Sequence, residues 1–308
     1  MHRRLTSLRR PIVTALTIAV AVSGGAVVAT TGPAPQPAGA TIAPDGPAID
    51  VPVDELRGSA AVAFVETFDV ELAPSRPNEV ILDELAADPL LFIGDGGMVG
   101  YTEPTVPAGA PAGEAVAPIA AETPPGDVFA LHSRPGATRV VYLDFDGHTT
   151  VDDYWNSAYD VDEIVSAPYS VDSSPAFSDT ERQRIFDIWE IVADDYAPFD
   201  VDVTTQEPAA GGLAKSSAGD TAYGKRIVIS PTDWYYSARG TRIGGIALVD
   251  VFSDNHDYSA FVFSDNLGGG AVKYVAEATS HEAGHTFGLL HDGTSSVSYY
   301  AGHGDWAP

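Results

Sequence analysis

The sequence predicts an α/β (α+β) fold, a mixed twisted sheet with two main helices, and three observations support this prediction. Short apolar runs of strand length recur between residues 139 and 265. A capped amphipathic helix interrupts these runs, and a second helix follows the last of them. Helices that alternate with strands in this way are expected to pack on the faces of one sheet.

The first strand is predicted in "RVVYLDFD" at 139–146, whose alternating apolar residues share one face: Val141, Leu143 and Phe145. The first main helix is predicted to begin at Ser178, which forms an S-x-x-E capping box with Glu181. Its apolar side chains recur at helical spacing: Ile185, Ile188, Val192 and Tyr196. Pro198 is expected to end this helix.

Four further strands are predicted after this helix: "FDVDVTT" at 199–205, "KRIVISP" at 225–231, "GGIALVDVF" at 244–252 and "AFVFSD" at 260–265. The second main helix is predicted from about 271 to 287, after the glycines at 268–270. Its residues Val272, Val275 and Thr279 lie on the face that is expected to meet the sheet.

The second helix leads into the densest motif of the chain, "SHEAGHTFGLLHDG" at 280–293. His281 and His285 are four residues apart, so both imidazoles lie on one helical face and can share a metal ion. Gly288 can adopt a left-handed conformation that ends the helix and turns the chain back. His291 then becomes available to the same ion.

Glu282 is adjacent to the first histidine, a position suited to taking a proton from water and poorly suited to a third ligand. Three neutral imidazoles leave a fourth position free for water, which is typical of a catalytic zinc site. The spacing therefore predicts Zn²⁺ on His281, His285 and His291, with Glu282 as general base. The alternative is a buried amphipathic helix whose histidines only satisfy their own hydrogen bonds.

The pattern H-E-x-x-H-x-x-G-x-x-H resembles the zinc signature of the metzincin metallopeptidases, and Asp292 resembles the adamalysin or reprolysin branch. Three further stretches resemble secreted bacterial metzincin-like proteins: "VVYLDFDGHTT" at 140–150, "IWEIVADDYAPFDVDVTT" at 188–205 and "YYAGHGDWAP" at 299–308. The resemblance implies a metzincin-like catalytic domain in residues 131–308, with the fold of the N-terminal zincin subdomain.

The resemblance also implies an activity, zinc-dependent hydrolysis of peptide bonds in protein or peptide substrates. It implies that the substrate lies extended along an exposed sheet edge, for which "GIALVDVF" at 245–252 is the candidate strand. Metzincins carry a methionine turn beneath the zinc, whereas the methionines here are Met1 and Met98. We therefore expect the natural reading frame to continue beyond Pro308 into a methionine and the missing C-terminal subdomain.

A secreted metzincin-like binding or adhesion module, which keeps zinc but has little catalysis, is the alternative function. The presence of Glu282 argues against it, because a module without catalysis does not need the base. Three further histidines, His148, His256 and His303, lack a partner at ligand spacing and are predicted to be solvated or hydrogen-bonded. The aromatic run at 234–236 is predicted in a polar loop, where it lines a substrate pocket or packs the loop.

Residues 1–40 have the features of an export signal: a basic start, an apolar stretch and the small-x-small site "AGA" at 38–40. An N-terminal membrane anchor is the alternative. The pair Arg9 and Arg10, followed by Pro11, leaves twin-arginine export open beside the general secretory route. The predicted location is extracellular, without stable membrane association once the signal is removed.

Residues 41–130 carry sixteen acidic residues against Arg57 and Arg76, and a Pro/Ala-rich linker occupies 103–127. Short apolar runs between 58 and 101 predict a few strands or a small folded piece. This region is interpreted either as a pro-region that covers the active-site cleft, which would make the chain a zymogen, or as a solvated spacer.

The 308 residues include no cysteine, so disulfides and a cysteine ligand from a pro-region are both excluded. A formal charge of −27, from 43 acidic and 16 basic residues, argues against nucleic acid or anionic membranes as partners. Surface carboxylates make Ca²⁺ a further candidate ion. Asp144 and Asp146 are the candidate pair, although no EF-hand-like spacing is present.

Overall fold

The computed structural model describes residues 55–110 and 126–292, apart from residues 69, 74, 173 and 175. The predicted export signal, residues 111–125 of the linker and residues 293–308 lie outside the described residues. The described residues all fall within one compact unit of the chain. No helix within these ranges is long and apolar enough to cross a membrane.

Six helices are present in the described ranges: α1 (Gly58–Phe68), α2 (Asn78–Ala87), α3 (Tyr154–Ala158), α4 (Asp179–Asp195), α5 (Trp234–Arg239) and α6 (Val272–Thr286). Nine strands accompany them: β1 (Leu91–Ile93), β2 (Val99–Glu103), β3 (Arg139–Asp144), β4 (His148–Thr150), β5 (Ile164–Ser166), β6 (Asp202–Thr204), β7 (Tyr223–Ser230), β8 (Gly245–Leu248) and β9 (Ala260–Phe263). Strands β4 and β5 pair with each other, and the other seven form one sheet.

The large sheet is mixed and has the strand order β1-β2-β8-β9-β7-β3-β6. Strands β6, β3, β7 and β9 run parallel to one another, whereas β8 is antiparallel to β9. Strand β2 adds to the far side of β8 in antiparallel direction, and β1 adds to β2 in the same manner. The predicted class, helices packed on a mixed sheet, is confirmed, and the five predicted strands correspond to β3, β6, β7, β8 and β9.

Helix α4 begins as the sequence predicts. The hydroxyl of Ser178 accepts from the backbone N–H of Glu181, and the Glu181 carboxylate accepts from the backbone N–H of Ser178. The helix ends at Asp195, three residues before Pro198. Its predicted apolar positions are buried in the main core between sheet and helices: Ile185, Ile188, Val192 and Tyr196.

Helix α6 lies beside α4 and packs on β7, β8 and β9. Val275 and Thr279 are fully buried, as expected for the face that meets the sheet. The same core contains the alternating residues of β3: Val141, Leu143 and Phe145. Packing of α6 across β8 and β9 brings its C-terminal half to the antiparallel side of the sheet.

The region before the linker is folded, and its apolar runs form helices as well as strands. Helix α1 covers most of the apolar run at 61–72, which belongs to the region predicted to form a few strands or a small folded piece. Its residues Ala61, Phe64 and Val65 recur at helical spacing on one buried face. Helix α2 buries Ile81 and Leu85, also four residues apart. These side chains form a second core with β1 and β2.

The aromatic run at 234–236 forms helix α5, so the prediction of a polar loop is wrong. Asp233 caps this helix by accepting from the backbone N–H of Tyr236. Trp234 and Tyr235 are buried in a third core on the opposite face of the sheet. Core packing therefore accounts for Trp234 and Tyr235, whereas Tyr236 is exposed.

Candidate metal centre

Helix α6 places the first two predicted ligands side by side. His281 and His285 are both buried, and their ring centroids are 4.4 Å apart. The Nδ1–H of His285 donates to the carbonyl of Leu289 at 2.8 Å. A ring whose Nδ1 carries the proton presents a lone pair at Nε2, which is the form a metal ligand needs.

The third histidine returns to the site through a tight turn. Gly288 has φ +88°, the left-handed conformation that the sequence predicts at this position. The turn brings Nε2 of His291 to 3.1 Å from Nε2 of His281. The three histidines of the motif therefore meet at one point.

A fourth side chain, which the sequence did not indicate, completes the cluster. Glu103 at the end of β2 is fully buried, and its Oε1 is 3.0 Å from Nε2 of His291. The same oxygen lies 3.4 Å from Nε2 of His281 and 3.5 Å from Nε2 of His285. One ligand atom from each of the four residues lies within 4.8 Å of the others.

The four residues fit a bound metal ion. Ligands about 2.0–2.1 Å from a tetrahedral ion are separated from one another by about 3.3 Å, close to the distances seen here. Nε2 of His285 is buried and has no hydrogen-bond partner among the described residues. A buried acceptor without a partner is costly unless a ligand satisfies it. Imidazole and carboxylate ligands suit zinc and other first-row divalent ions.

Two of the ligand histidines, His285 and His291, have pKa values shifted in opposite directions. Burial lowers the pKa of His285 to about 4, so this ring is neutral at physiological pH. Burial also disfavours the charged form of His291, but hydrogen bonds to Asp88 and Glu103 outweigh it and raise the pKa of His291 to about 9. Asp88 Oδ2 is 2.5 Å from Nδ1 of His291 and so orients its Nε2 toward the cluster.

Glu282, the predicted base, lies beside the ligand cluster and against strand β8. It is fully buried, and neither carboxylate oxygen has a hydrogen-bond partner among the described residues. Burial raises the pKa of Glu282, and the nearby charge of Glu103 raises it further. Burial has the same effect on Glu103, but its contacts with the three histidines hold the pKa of Glu103 well below its usual range.

The sheet edge predicted to receive a substrate is covered by another part of the chain. The resemblance implied that the strand within "GIALVDVF" is exposed, whereas β8 pairs with β9 on one side and β2 on the other. The expectation that this edge is exposed is therefore wrong. The covering strand comes from the region before the linker.

An apolar cavity of about 600 Å³ adjoins the histidines. Its lining includes Tyr196, Phe199, Phe287 and Leu289 together with His281. Phe199 and Leu289 are more than half exposed, so the apolar lining is accessible from solvent. A cavity of this character suits an apolar side chain or ligand next to the ion.

Within the described residues, the histidine and Glu103 cluster is the only group of three or more such side chains with metal-binding geometry. Asp144, half of the predicted calcium pair, instead contacts the guanidinium of Arg226. His148 lies 3.8 Å from the same aspartate, and His256 contacts Asp254, so neither reaches the cluster. His303 lies outside the described residues.

Comparisons of the chain with models of protein families, with curated proteins and with solved structures find no match.

Proposed function

We propose that this chain is a secreted, zinc-dependent endopeptidase of the metzincin type. The observation that supports the proposal most directly is the convergence of His281, His285 and His291. The buried carboxyl of Glu282 lies beside them and has no hydrogen-bond partner among the described residues. From residue 139 onward, a strand is followed by a helix, further strands and then the histidine helix. This order agrees with the metzincin-like fold that the resemblance implies. Protein or peptide chains are the proposed substrates.

The three histidines would hold the ion through Nε2. Zinc bound there would supply Lewis acidity, polarising a peptide carbonyl and lowering the pKa of water toward neutral. Glu282 accepts the proton that water loses as its oxygen bonds to the carbonyl carbon. The same carboxyl then donates this proton to the amine nitrogen as the C–N bond breaks. Burial and a raised pKa suit Glu282 to the second of these transfers.

A non-catalytic metal-binding module is the second candidate, and one observation favours it. Glu103 supplies a fourth protein ligand atom, and four protein ligands are typical of closed, structural zinc sites. Glu282 argues against this candidate. Its buried carboxyl has no hydrogen-bond partner within the described part of the chain, and such a group destabilises a fold that makes no use of it.

An assay on the purified protein distinguishes the two candidate functions. The metal is removed by chelation, replaced by one equivalent of zinc, and hydrolysis of an unfolded, fluorescence-quenched protein substrate is followed. Both the intact chain and a chain cut between residues 103 and 126 are assayed. We expect zinc-dependent hydrolysis by the cut chain. If both forms bind zinc and neither hydrolyses the substrate, the binding module is the correct function.

A further inference from the structure

Strand β2 pairs with the edge of β8 in the way that an added peptide strand would. Glu103 lies opposite Gly245, and the backbone N–H of Gly244 donates to the Glu103 carbonyl at 2.7 Å. At the other end, the N–H of Val249 donates to the carbonyl of Val99 at 2.8 Å. A peptide that extends a sheet binds the same main-chain groups of the edge strand. Strand β2 and such a peptide therefore exclude each other.

The register of this pairing places β2 over the reactive groups. Glu103 sits opposite Gly245, the residue against which Glu282 lies, and its Oε1 faces the three ligand nitrogens. Two residues earlier, the ring of Tyr101 stacks on His285 at a centroid distance of 4.4 Å and an angle of 18°. Side chains at alternate positions of β2 thus cover the cluster from one face of the sheet.

Residues 55–103 are here called the covering segment. Outside β2, this segment also contacts the turn that carries Gly288 and His291. Asp88 is bonded to His291, and Nε of Arg76 donates to the carbonyl of Gly288 at 2.9 Å. The second core of the protein joins β2 to helices α1 and α2, so these contacts belong to one packed unit. The Pro/Ala-rich linker separates this unit in sequence from the strand that begins at residue 139.

We propose that β2 is a built-in occupant of the peptide-binding cleft, with Glu103 as a displaceable fourth metal ligand that keeps the site closed. This inference rests on the proposed peptidase function. The ligand that replaces β2 is an extended peptide, which pairs with β8 in the antiparallel direction that β2 takes. Removal of the covering segment frees one coordination position of the metal ion and, at the same time, exposes the edge of β8.

The test uses the intact chain with Co²⁺ in place of zinc and follows its visible absorption, a readout of coordination that needs no hydrolysis. Acetohydroxamate, a small chelating ligand of such ions, is titrated into the wild type, Glu103→Ala and the isosteric Glu103→Gln. Glu66→Ala is the matched control, because Glu66 is an exposed carboxylate of α1 in the same segment. We expect hydroxamate to bind both Glu103 variants at least about tenfold more tightly than it binds the wild type and control.

Equal hydroxamate affinity in the wild type and in a folded Glu103→Gln protein would overturn the proposal. A second measurement tests the strand. A labelled peptide with the sequence of residues 97–105 is added to a chain cut within residues 111–125. We expect it to bind the cut chain and not the intact one, and to lose at least about tenfold in affinity when its glutamate is replaced by alanine.

These measurements separate the two proposals. Hydroxamate and peptide binding as expected, without any hydrolysis by the cut chain, would leave the covering role intact and overturn the peptidase function. Hydrolysis by the intact wild type as fast as by Glu103→Gln would overturn the covering role and leave the peptidase function intact.

Discussion

Gly245 of β8 lies so close to Glu282 of α6 that a Cβ atom at position 245 would be 2.0 Å from Oε1 of that carboxylate. The missing side chain is what allows the carboxylate to lie directly against the strand. Because Glu282 is fully buried, its carboxylate has little freedom to move aside. The glycine therefore fixes where the proposed base sits relative to a peptide on β8.

Gly245→Ala is expected to displace Glu282 while leaving the three histidines in place. We predict an unchanged zinc content and a fall of about a hundredfold in peptide hydrolysis, since small displacements of a reacting group cost this much. Gly219→Ala is the control, because no heavy atom lies within 4 Å of a Cβ at that position. Full activity in a folded Gly245→Ala protein would show that Glu282 does not act from this position.

His285→Ala is expected to lose the metal at neutral pH. The variant retains two histidines and Glu103, and removes a ring whose buried Nε2 has no hydrogen-bond partner within the described residues. We predict that zinc affinity falls by at least about a hundredfold, as measured by competition with a chelator. His256→Ala, a histidine bonded to Asp254 away from the cluster, should bind zinc as the wild type does. One tightly bound equivalent in His285→Ala would show that the ligand set is wrong.

Ser178→Ala removes half of the capping box at the start of α4. Its hydroxyl both accepts from the Glu181 N–H and donates to the Glu181 carboxylate. We predict a loss of about 1 kcal/mol in the free energy of unfolding, measured by urea denaturation. Ser237→Ala, at an exposed position of α5, should change stability by less than about 0.5 kcal/mol. An unchanged stability of Ser178→Ala would contradict the capping role.

Lys225 is fully buried, and its ammonium donates to the carbonyl of His256. Burial lowers its pKa from 10.5 to about 8, although three nearby aspartates oppose this shift. Between pH 8 and pH 10.5, Lys225 binds fewer protons in the folded state than in the unfolded state. The titration of Lys225 therefore makes the free energy of unfolding rise with pH in this range.

Lys225→Met should remove that dependence. We predict that the stability of the variant minus that of the wild type decreases by about 2 kcal/mol between pH 7.5 and pH 10. Taking the difference between the two proteins cancels the titration of tyrosines, which both share. A difference that stays constant across this range would mean that Lys225 keeps its ordinary pKa in the folded protein.

Much of the sheet and both main helices could be predicted because their signals are local. The alternation in β3, the capping box of α4 and the glycine turn at 288 each depend on residues close in sequence. The motif likewise contains the ligand spacing within eleven residues, 281–291. Residue composition was misleading for α1 and α5, because the aromatic residues of both helices and the β-branched residues of α1 are more typical of strands.

Glu103 could not be found in this way, because its partners are brought to it only by the pairing of β2 with β8. The residues "FIGDGGMVGYTE" at 92–103 contain a glycine turn between two apolar runs, which is typical of a hairpin. That pattern places Glu103 at a strand end but does not indicate which edge the hairpin joins. Strand order depends on contacts distant in sequence, and these contacts decide what lies beside the histidines.

The central claim is that Glu282 transfers protons in peptide hydrolysis and does not hold the metal. The most direct test compares the wild type with Glu282→Gln at equal zinc content, using a fluorescence-quenched peptide and a chain cut between residues 103 and 126. We predict that both proteins bind one equivalent of zinc and that the variant hydrolyses the peptide at least about a hundredfold more slowly. Equal rates at equal zinc content would contradict the claim.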